Sequence, residues 1–203
     1  MTFFNFLKKL PIDLGQKEMR YKSYGRVIAL QLAGNGNGKK ALDAGCAEGF
    51  YTEKLKQQGW NVTAVDKEPR ERENQNAQTV DLNRGIPFLD NSFDLVWSTE
   101  VIAYLDDPEF FIREIKRVLK PGGTYIITTP NNGFWLDAIL RLIGKSLKSL
   151  QDQNQKHFFV LSDVKRLFPN ESLYGFFPYF LLKFRIKHLI GFLSPTFIVK
   201  GTK

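Results

Sequence analysis

The chain has 203 residues, 43% of them hydrophobic, which suffices for a single domain with a real core. Its one cysteine, Cys46, excludes an internal disulfide and suits a reducing cytosol. The net charge of +8 is unevenly spread: residues 1–132 hold 18 Lys and Arg against 17 Asp and Glu, while residues 133–203 hold 11 against 4, with ten of the 18 phenylalanines. That asymmetry bears on partners and not on fold.

In chain order, the apolar start Phe3, Phe4, Phe6, Leu7 stops at Lys8-Lys9, so no signal peptide is expected. Tyr21, Tyr24, Val27, Ile28, Leu30 and Leu32 recur at mostly helical spacing and predict a helix over 18–33. GNGNG at 34–38 ends it. A strand at 39–44, a helix at 49–58 and a strand at 60–66 follow, then a polar loop or frayed helix over 67–78. Short and buried strands are predicted at 79–82 and 92–98. Asp107-Pro108-Glu109 combines an acidic N-cap with proline at the first helical position, and Pro121-Gly122-Gly123 should stop that helix after Leu119. A strand at 123–129, a helix near 134–148 and a short helix capped by Ser162 come next. Strands near 172–180 and 195–201 complete the reading. The greasiest region, 176–197, is interrupted by Lys183, Arg185, Lys187 and His188 and is no bilayer span.

Strands alternating with helices predict an α/β fold: a Rossmann-like parallel sheet with helices on both faces. Ligands then bind beyond the carboxyl ends of the strands, where Asp43, Asp66, Asp81 and Thr99 fall. The turn Gly45-Cys46-Ala47-Glu48-Gly49 has almost no side-chain bulk, so its backbone can approach a ligand closely. Asp66, at the tip of the second strand, is placed to accept from a ribose diol. An adenosine-type cofactor is therefore expected. The dinucleotide fingerprint would need glycines at 45, 47 and 50, and the chain has Gly45, Ala47 and Phe50.

Four segments, LDAGCAEGF at 42–50, TAVD at 63–66, VDLNRGIPFLDNSFDLVWSTEVIAYL at 80–105 and EIKRVLKPGGTYIITTPN at 114–131, agree in order and spacing with one family. Together they resemble the class I S-adenosylmethionine (SAM) dependent methyltransferases, in particular the small-molecule, ubiquinone-methylase-like branch known as type 11. KHFFVLSDVKRLF at 156–168 is similar to that branch's H-x-x-F-S-x-x-x-L-x-x-L element. The resemblance implies a seven-stranded, mostly parallel sheet whose last strand is antiparallel. It divides one domain, 1–203, into an N-terminal helical segment (1–37), a cofactor-binding core (38–132) and a basic, Phe-rich substrate side (133–203).

The resemblance also implies roles, with SAM as cofactor and S-adenosylhomocysteine (SAH) as product. Asp43 and the backbone of Gly45, Ala47 and Gly49 would cradle the methionine end, and Asp66 would take the ribose hydroxyls. Asp81 would accept from the adenine amino group, the Leu82 amide would meet the ring, and Ser98 and Thr99 would end strand four under the sulfonium. For Gly49 and Thr99 a purely structural role fits as well. Many relatives carry E-V-L-E-H after strand four; here it is Glu100-Val101-Ile102-Ala103-Tyr104, without the Glu-His pair. His157 is then the best base, although an ordinary structural histidine fits equally, and Tyr104 could orient a substrate. No metal site is expected.

Cys46 lies in the cofactor turn and not in a nucleophile's place, and N-P-P-[YF] is absent after strand four, so nucleic acid is disfavoured as substrate. The basic, aromatic last third admits contact with an anionic membrane, a pocket for an amphiphilic or phosphorylated acceptor, stacking on RNA, or simple coverage of a sheet face. In the membrane case Phe176, Phe177, Phe180, Phe184 and Phe192 would insert. The resulting reading is O-methylation of a small-molecule, glycan or lipid-linked acceptor, in the cytosol or peripherally at a membrane. An RNA or protein methyltransferase and a non-catalytic SAM-binding partner stay open. No feature assigns an oligomeric state.

Overall fold

The computed structural model describes residues 23–68, 77–142, 154–179 and 182–203. Helix α1 (Tyr24–Ala33) leads through a glycine-containing loop into β1 (Lys40–Ala44), α2 (Phe50–Gln57), β2 (Asn61–Asp66) and a short β3 (Gln78–Thr79). Then come β4 (Phe93–Thr99), α3 (Pro108–Val118), β5 (Leu119–Pro130), α4 (Trp135–Leu142) and α5 (Leu161–Leu167). The chain closes with β6 (Ser172–Tyr179), β7 (Leu182–Ile186), α6 (Ile190–Leu193) and β8 (Thr196–Thr202). Residues 18–22 of the predicted first helix, most of the polar run 67–78, residues 143–148 and Phe180 lie outside the described residues.

The strands form one sheet in the order β3-β2-β1-β4-β5-β8-β6-β7. Pairings from β3 to β5 are parallel; β8 is antiparallel to both β5 and β6, and β7 is antiparallel to β6. The expected mixed sheet with an antiparallel last strand is present. The described strands number eight and not seven. The additional one is β7, which turns back from β6 through Phe177↔Phe184 and Phe176↔Arg185 and makes the outer edge.

Alternation along the strands divides the core into two layers. On one face Leu42, Val96, Tyr125, Ile127, Phe197 and Val199 pack under α3 and α5, against Phe111, Ile115 and Val164. On the other, Ala41, Leu95, Trp97, Ile126 and Ile198 pack under α1 and α2, against Ile28, Ala29, Tyr51 and Leu55. Helix α3 starts as its sequence predicts: Asp107 Oδ1 accepts from the Phe110 amide at 2.9 Å, with Pro108 in the first turn. Such a cap contributes about 1 kcal/mol. Arg117 near its end donates to Glu114, Asp90 and the carbonyls of Ile86 and Phe88, all at 2.7–2.9 Å, and so pins the loop before β4.

Four local expectations are corrected. Pro121-Gly122-Gly123 does not separate helix from strand. Leu119 already pairs with Phe93, and the triplet is absorbed as an irregularity before Leu95↔Thr124, with Gly122 at φ 76°. Asp81 and Leu82 are not strand residues; Asp81 caps a 3-10 turn, Leu82–Arg84. Ser162 does not cap α5; the residue before the helix is Val160, whose amide donates to Asp163 Oδ2 at 3.0 Å. Phe176 is not available to a membrane, because it is wholly buried against α1 with its ring edge-on to Tyr24.

Candidate cofactor and acceptor site

The turn after β1 folds back over the end of β2, since the amides of Gly45 and Cys46 both donate to the Val65 carbonyl, at 2.8 and 3.1 Å. Gly45, Ala47 and Gly49 all have positive φ, at 90°, 48° and 76°. Alternation of this kind curls a backbone into a concave run; with the Gly49 amide on the Cys46 carbonyl at 2.8 Å, what the run offers a ligand is close approach over small residues. Gly45 is held by space as well as by φ: a Cβ there would lie 2.1 Å from Val101 Cγ2. Ala47 adopts a left-handed conformation that favours glycine, at a cost of roughly 1 kcal/mol.

Two carboxylates back the turn. Asp66 Oδ2 accepts from the Ala47 amide at 2.8 Å and Oδ1 from the Glu68 amide at 3.0 Å. Each oxygen keeps a second lone pair, which is what a ribose diol needs. Asp43 is buried, and its Oδ2 accepts from Thr52 Oγ1 at 2.6 Å. Burial pushes its carboxyl up to about 7; the Thr52 bond opposes the shift, the Asp66 charge adds to it and Arg26 opposes it. Asp43 is thus poised between charge states near neutral pH, and a bound cation would favour its ionised form. Burial also pushes the Cys46 thiol up to about 12, reinforced by Asp43 and Asp66, which makes it a small inert residue.

The Val80 amide donates to the Asp66 carbonyl at 2.9 Å, which sets Asp81 just beyond Asp66 at the same sheet end. Asp81 Oδ1 accepts from the Asn83 amide at 3.1 Å, and that bond, aided by Lys67 and Arg84, holds its carboxyl below the usual range against some desolvation. Asn83 Oδ1 in turn accepts from the Asp106 amide at 2.8 Å. The Leu82 side chain belongs to the core. Thr99 ends β4, half-buried beside Thr128, and Glu100 follows at φ 63° with its amide on the Thr128 carbonyl at 3.0 Å.

Tyr104 lies in a 3-10 turn, Ile102–Tyr104, half-buried against the α3 layer. His157 comes to the same turn from far along the chain. Its amide donates to the Ala103 carbonyl at 2.9 Å, its Nε2 donates to the Leu105 carbonyl at 2.9 Å, and its ring stacks on Phe159. The cofactor turn touches this segment through Val101. All ten candidate residues therefore gather at the carboxyl ends of β1, β2, β4 and the segments that follow. Thr52 and Arg26, which tune Asp43, have no signature of their own in the sequence. Thr52 could have been found from its place one turn into α2, facing back onto β1. Among the described residues no group of three or more His, Cys, Asp and Glu is placed to hold a metal ion.

A family model described as a methyltransferase domain matches residues 42–127. A malonyl-[acyl-carrier protein] O-methyltransferase of Erwinia pyrifoliae is 35% identical over 111 residues, covering 51% of this chain and 42% of that protein. A ubiquinone biosynthesis O-methyltransferase of Photorhabdus laumondii is 30% identical over 128 residues, covering 55% of this chain and 52% of that protein. The chain thus spans about half, or less, of the length of these relatives. In fold it is similar to a SAM-dependent methyltransferase from Mesorhizobium loti, with a TM-score of 0.67 at 16% identity over 90% of this chain and all of that one. Residues 42–127 thus match a methyltransferase domain, and the described residues share the fold of a solved SAM-dependent methyltransferase.

Proposed function

We propose that this chain methylates an oxygen of a small-molecule, glycan or lipid-linked acceptor. When bound, SAM supplies a methyl group already activated on a sulfonium. The chain's task is then chiefly alignment, and proximity of this kind can lower a barrier by about 7–11 kcal/mol. The positive-φ turn and Asp43 hold the methionine end, Asp66 the ribose, and Asp81 with the Leu82 amide the adenine; Thr99 lies toward the sulfonium. The acceptor approaches over the 102–105 turn, where Tyr104 orients it. With Nε2 committed to the Leu105 carbonyl, His157 in its neutral form offers Nδ1 to a hydroxyl proton. SAM, when bound, would give up its methyl to the acceptor oxygen and leave as SAH, and the hydroxyl proton would pass to the His157 imidazole.

The observation that carries this reading is the contact of Gly45 with Val101, which joins the cofactor turn to the segment bearing Tyr104 and His157. Calorimetric titration with SAM and SAH tests it. Micromolar binding by the wild type, weakened at least about tenfold in Asp66→Ala by loss of charge-assisted hydrogen bonds, is expected. Absence of binding by the wild type would sink the reading, and SAM held but never consumed with any acceptor would favour the binding-only alternative.

A peripheral membrane contact is part of the proposal. Leu189, Phe192 and Phe184 are 71%, 58% and 49% exposed, and Arg185, Lys187 and His188 are exposed nearby. Exposed aromatics beside cations suit an anionic lipid surface. Among the described residues no helix is long and apolar enough to cross a membrane. Co-sedimentation with phosphatidylglycerol vesicles, weakened in Phe192→Ser and by salt, is the expected result; equal recovery with neutral phosphatidylcholine vesicles removes this part.

A further inference from the structure

Ser98, Thr129 and Asn132 are buried, and among the described residues the Ser98 and Thr129 hydroxyls and both side-chain amide atoms of Asn132 have no hydrogen-bond partner. Native chains rarely leave such groups unpaired, because each costs about 1–3 kcal/mol when desolvated. Three in one neighbourhood call for a common cause. Ser98 pairs in register with Ile127 on β5, and Thr129 follows Ile127 by two, so both hydroxyls stand on the α3 face at the carboxyl end of the sheet. The Asn132 backbone N–H donates to the Phe159 carbonyl at 2.9 Å, and Phe159 carries the stacked ring of His157. The trio therefore lies on the side from which His157 and Tyr104 arrive.

The neighbouring Asn131 provides a control. Its Nδ2 donates to the carbonyls of Gly191 at 2.8 Å and Ser194 at 2.7 Å, and its Oδ1 accepts from the Gly133 amide at 2.8 Å. An asparagine here can thus be fully satisfied by the fold. Asn132 is only 6% exposed and is not. The difference marks Asn131 as a structural tie and Asn132 as a group kept for a ligand.

We infer that Ser98, Thr129 and Asn132 hold the oxygen-bearing head of the methyl acceptor, a carboxylate or hydroxyl group. The two hydroxyls and the amide NH₂ donate, the amide oxygen receives a hydroxyl proton if there is one, and no cation is needed. This assignment rests on the methyl-transfer reading above and specifies how its nucleophile is aligned.

The test pairs stability with binding in Thr129→Val and Asn132→Leu, near-isosteric changes that delete the polar atoms. If those atoms serve only a ligand, both variants melt no more than about 2 °C below the wild type. A larger fall in either would show that the fold itself uses the groups and would overturn the inference. SAH-loaded protein is then titrated with malonyl-N-acetylcysteamine, which offers a carboxylate, and with catechol, which offers hydroxyls. The wild type is expected to bind one of them, each variant about tenfold more weakly, and Thr129→Ser like the wild type. The probe that binds tells which oxygen group is held. Binding of neither probe, or equal binding by the variants, overturns the inference. SAM affinity in the same proteins separates the failures: if the wild type takes up no SAM, the methyl-transfer reading has failed, and if SAM binds normally the fault lies with the trio alone.

Discussion

Residues 40–130 set their chemistry at the carboxyl ends of parallel strands, whereas residues 131–203 join that sheet through the antiparallel pairing of β8 and through buried polar side chains acting across long stretches of chain. In the first region the sequence neighbours of a site residue largely determine where it goes. Asp43 and Asp66 are positioned by β1 and β2, and the turn between β1 and α2 by its own backbone. In the second region position depends on distant partners. Asn131 gathers α6 and the start of β8, and Ser194 Oγ accepts from the Phe176 amide at 3.0 Å while donating to the Thr196 carbonyl at 2.6 Å. Damage should accordingly spread differently: in the first region it should reach the cofactor, in the second the fold or, at Asn132 and His157, the acceptor, with the cofactor spared.

The sharpest way to break this contrast is Gly45→Ala. It combines a strained φ of 90° with a Cβ 2.1 Å from Val101 Cγ2. A loss of about 3 kcal/mol is expected, with a melting temperature lower by roughly 6–12 °C and SAM binding abolished in titration. Normal SAM affinity in this variant would show that the turn is not the cradle. Asn131→Ala is next. It strands buried carbonyls near α6, so about 2–3 kcal/mol should be lost in urea denaturation, with SAM affinity at 25 °C unchanged. An equal loss of affinity would erase the distinction between the regions.

The remaining prediction concerns Asp43 and is a slope in pH and not a fixed loss. Its folded pKa, about 7, stands above its ordinary 3.8, so between those values the folded chain binds the proton more tightly than the unfolded one. The stabilising contribution is complete below pH 4 and is lost as pH rises through 7, at no more than about 1.4 kcal/mol per pH unit. Asp43→Asn should therefore gain on the wild type in denaturation experiments as pH rises from 4 to 8. A constant difference over that range would mean that the carboxyl is not raised.

Much of the first region was legible because its signals are local. LDAGCAEGF announces its own turn, Asp66 its strand end, and Asp107-Pro108 its helix start. Pro121-Gly122-Gly123 misled for a physical reason. Prolines and glycines mark a break in local geometry, but pairing of Leu119 with Phe93 on β4 carries the strand through it. β7 escaped notice because LKFRI becomes a strand only by pairing with β6. Of the trio, Thr129 and Asn132 could not be read at all: small polar residues at strand ends are ordinary, and only a three-dimensional account of hydrogen bonds shows them and Ser98 to be unpaired among the described residues.

The placement of β8 has a consequence for biosynthesis. The latest described strand lies between β5 and β6, so neither the β6–β7 hairpin nor the edge of β5 finds its permanent neighbour until residues 196–202 have left the ribosome. Vectorial synthesis delivers the cofactor turn early and the strand that seals the sheet late. In the interval β5 presents a bare edge of Ile126, Ile127 and Thr128, the kind of surface that chaperones shield and that aggregation exploits. Closure of the sheet is thus a single late event, and the nascent chain depends on it for solubility before any substrate is met.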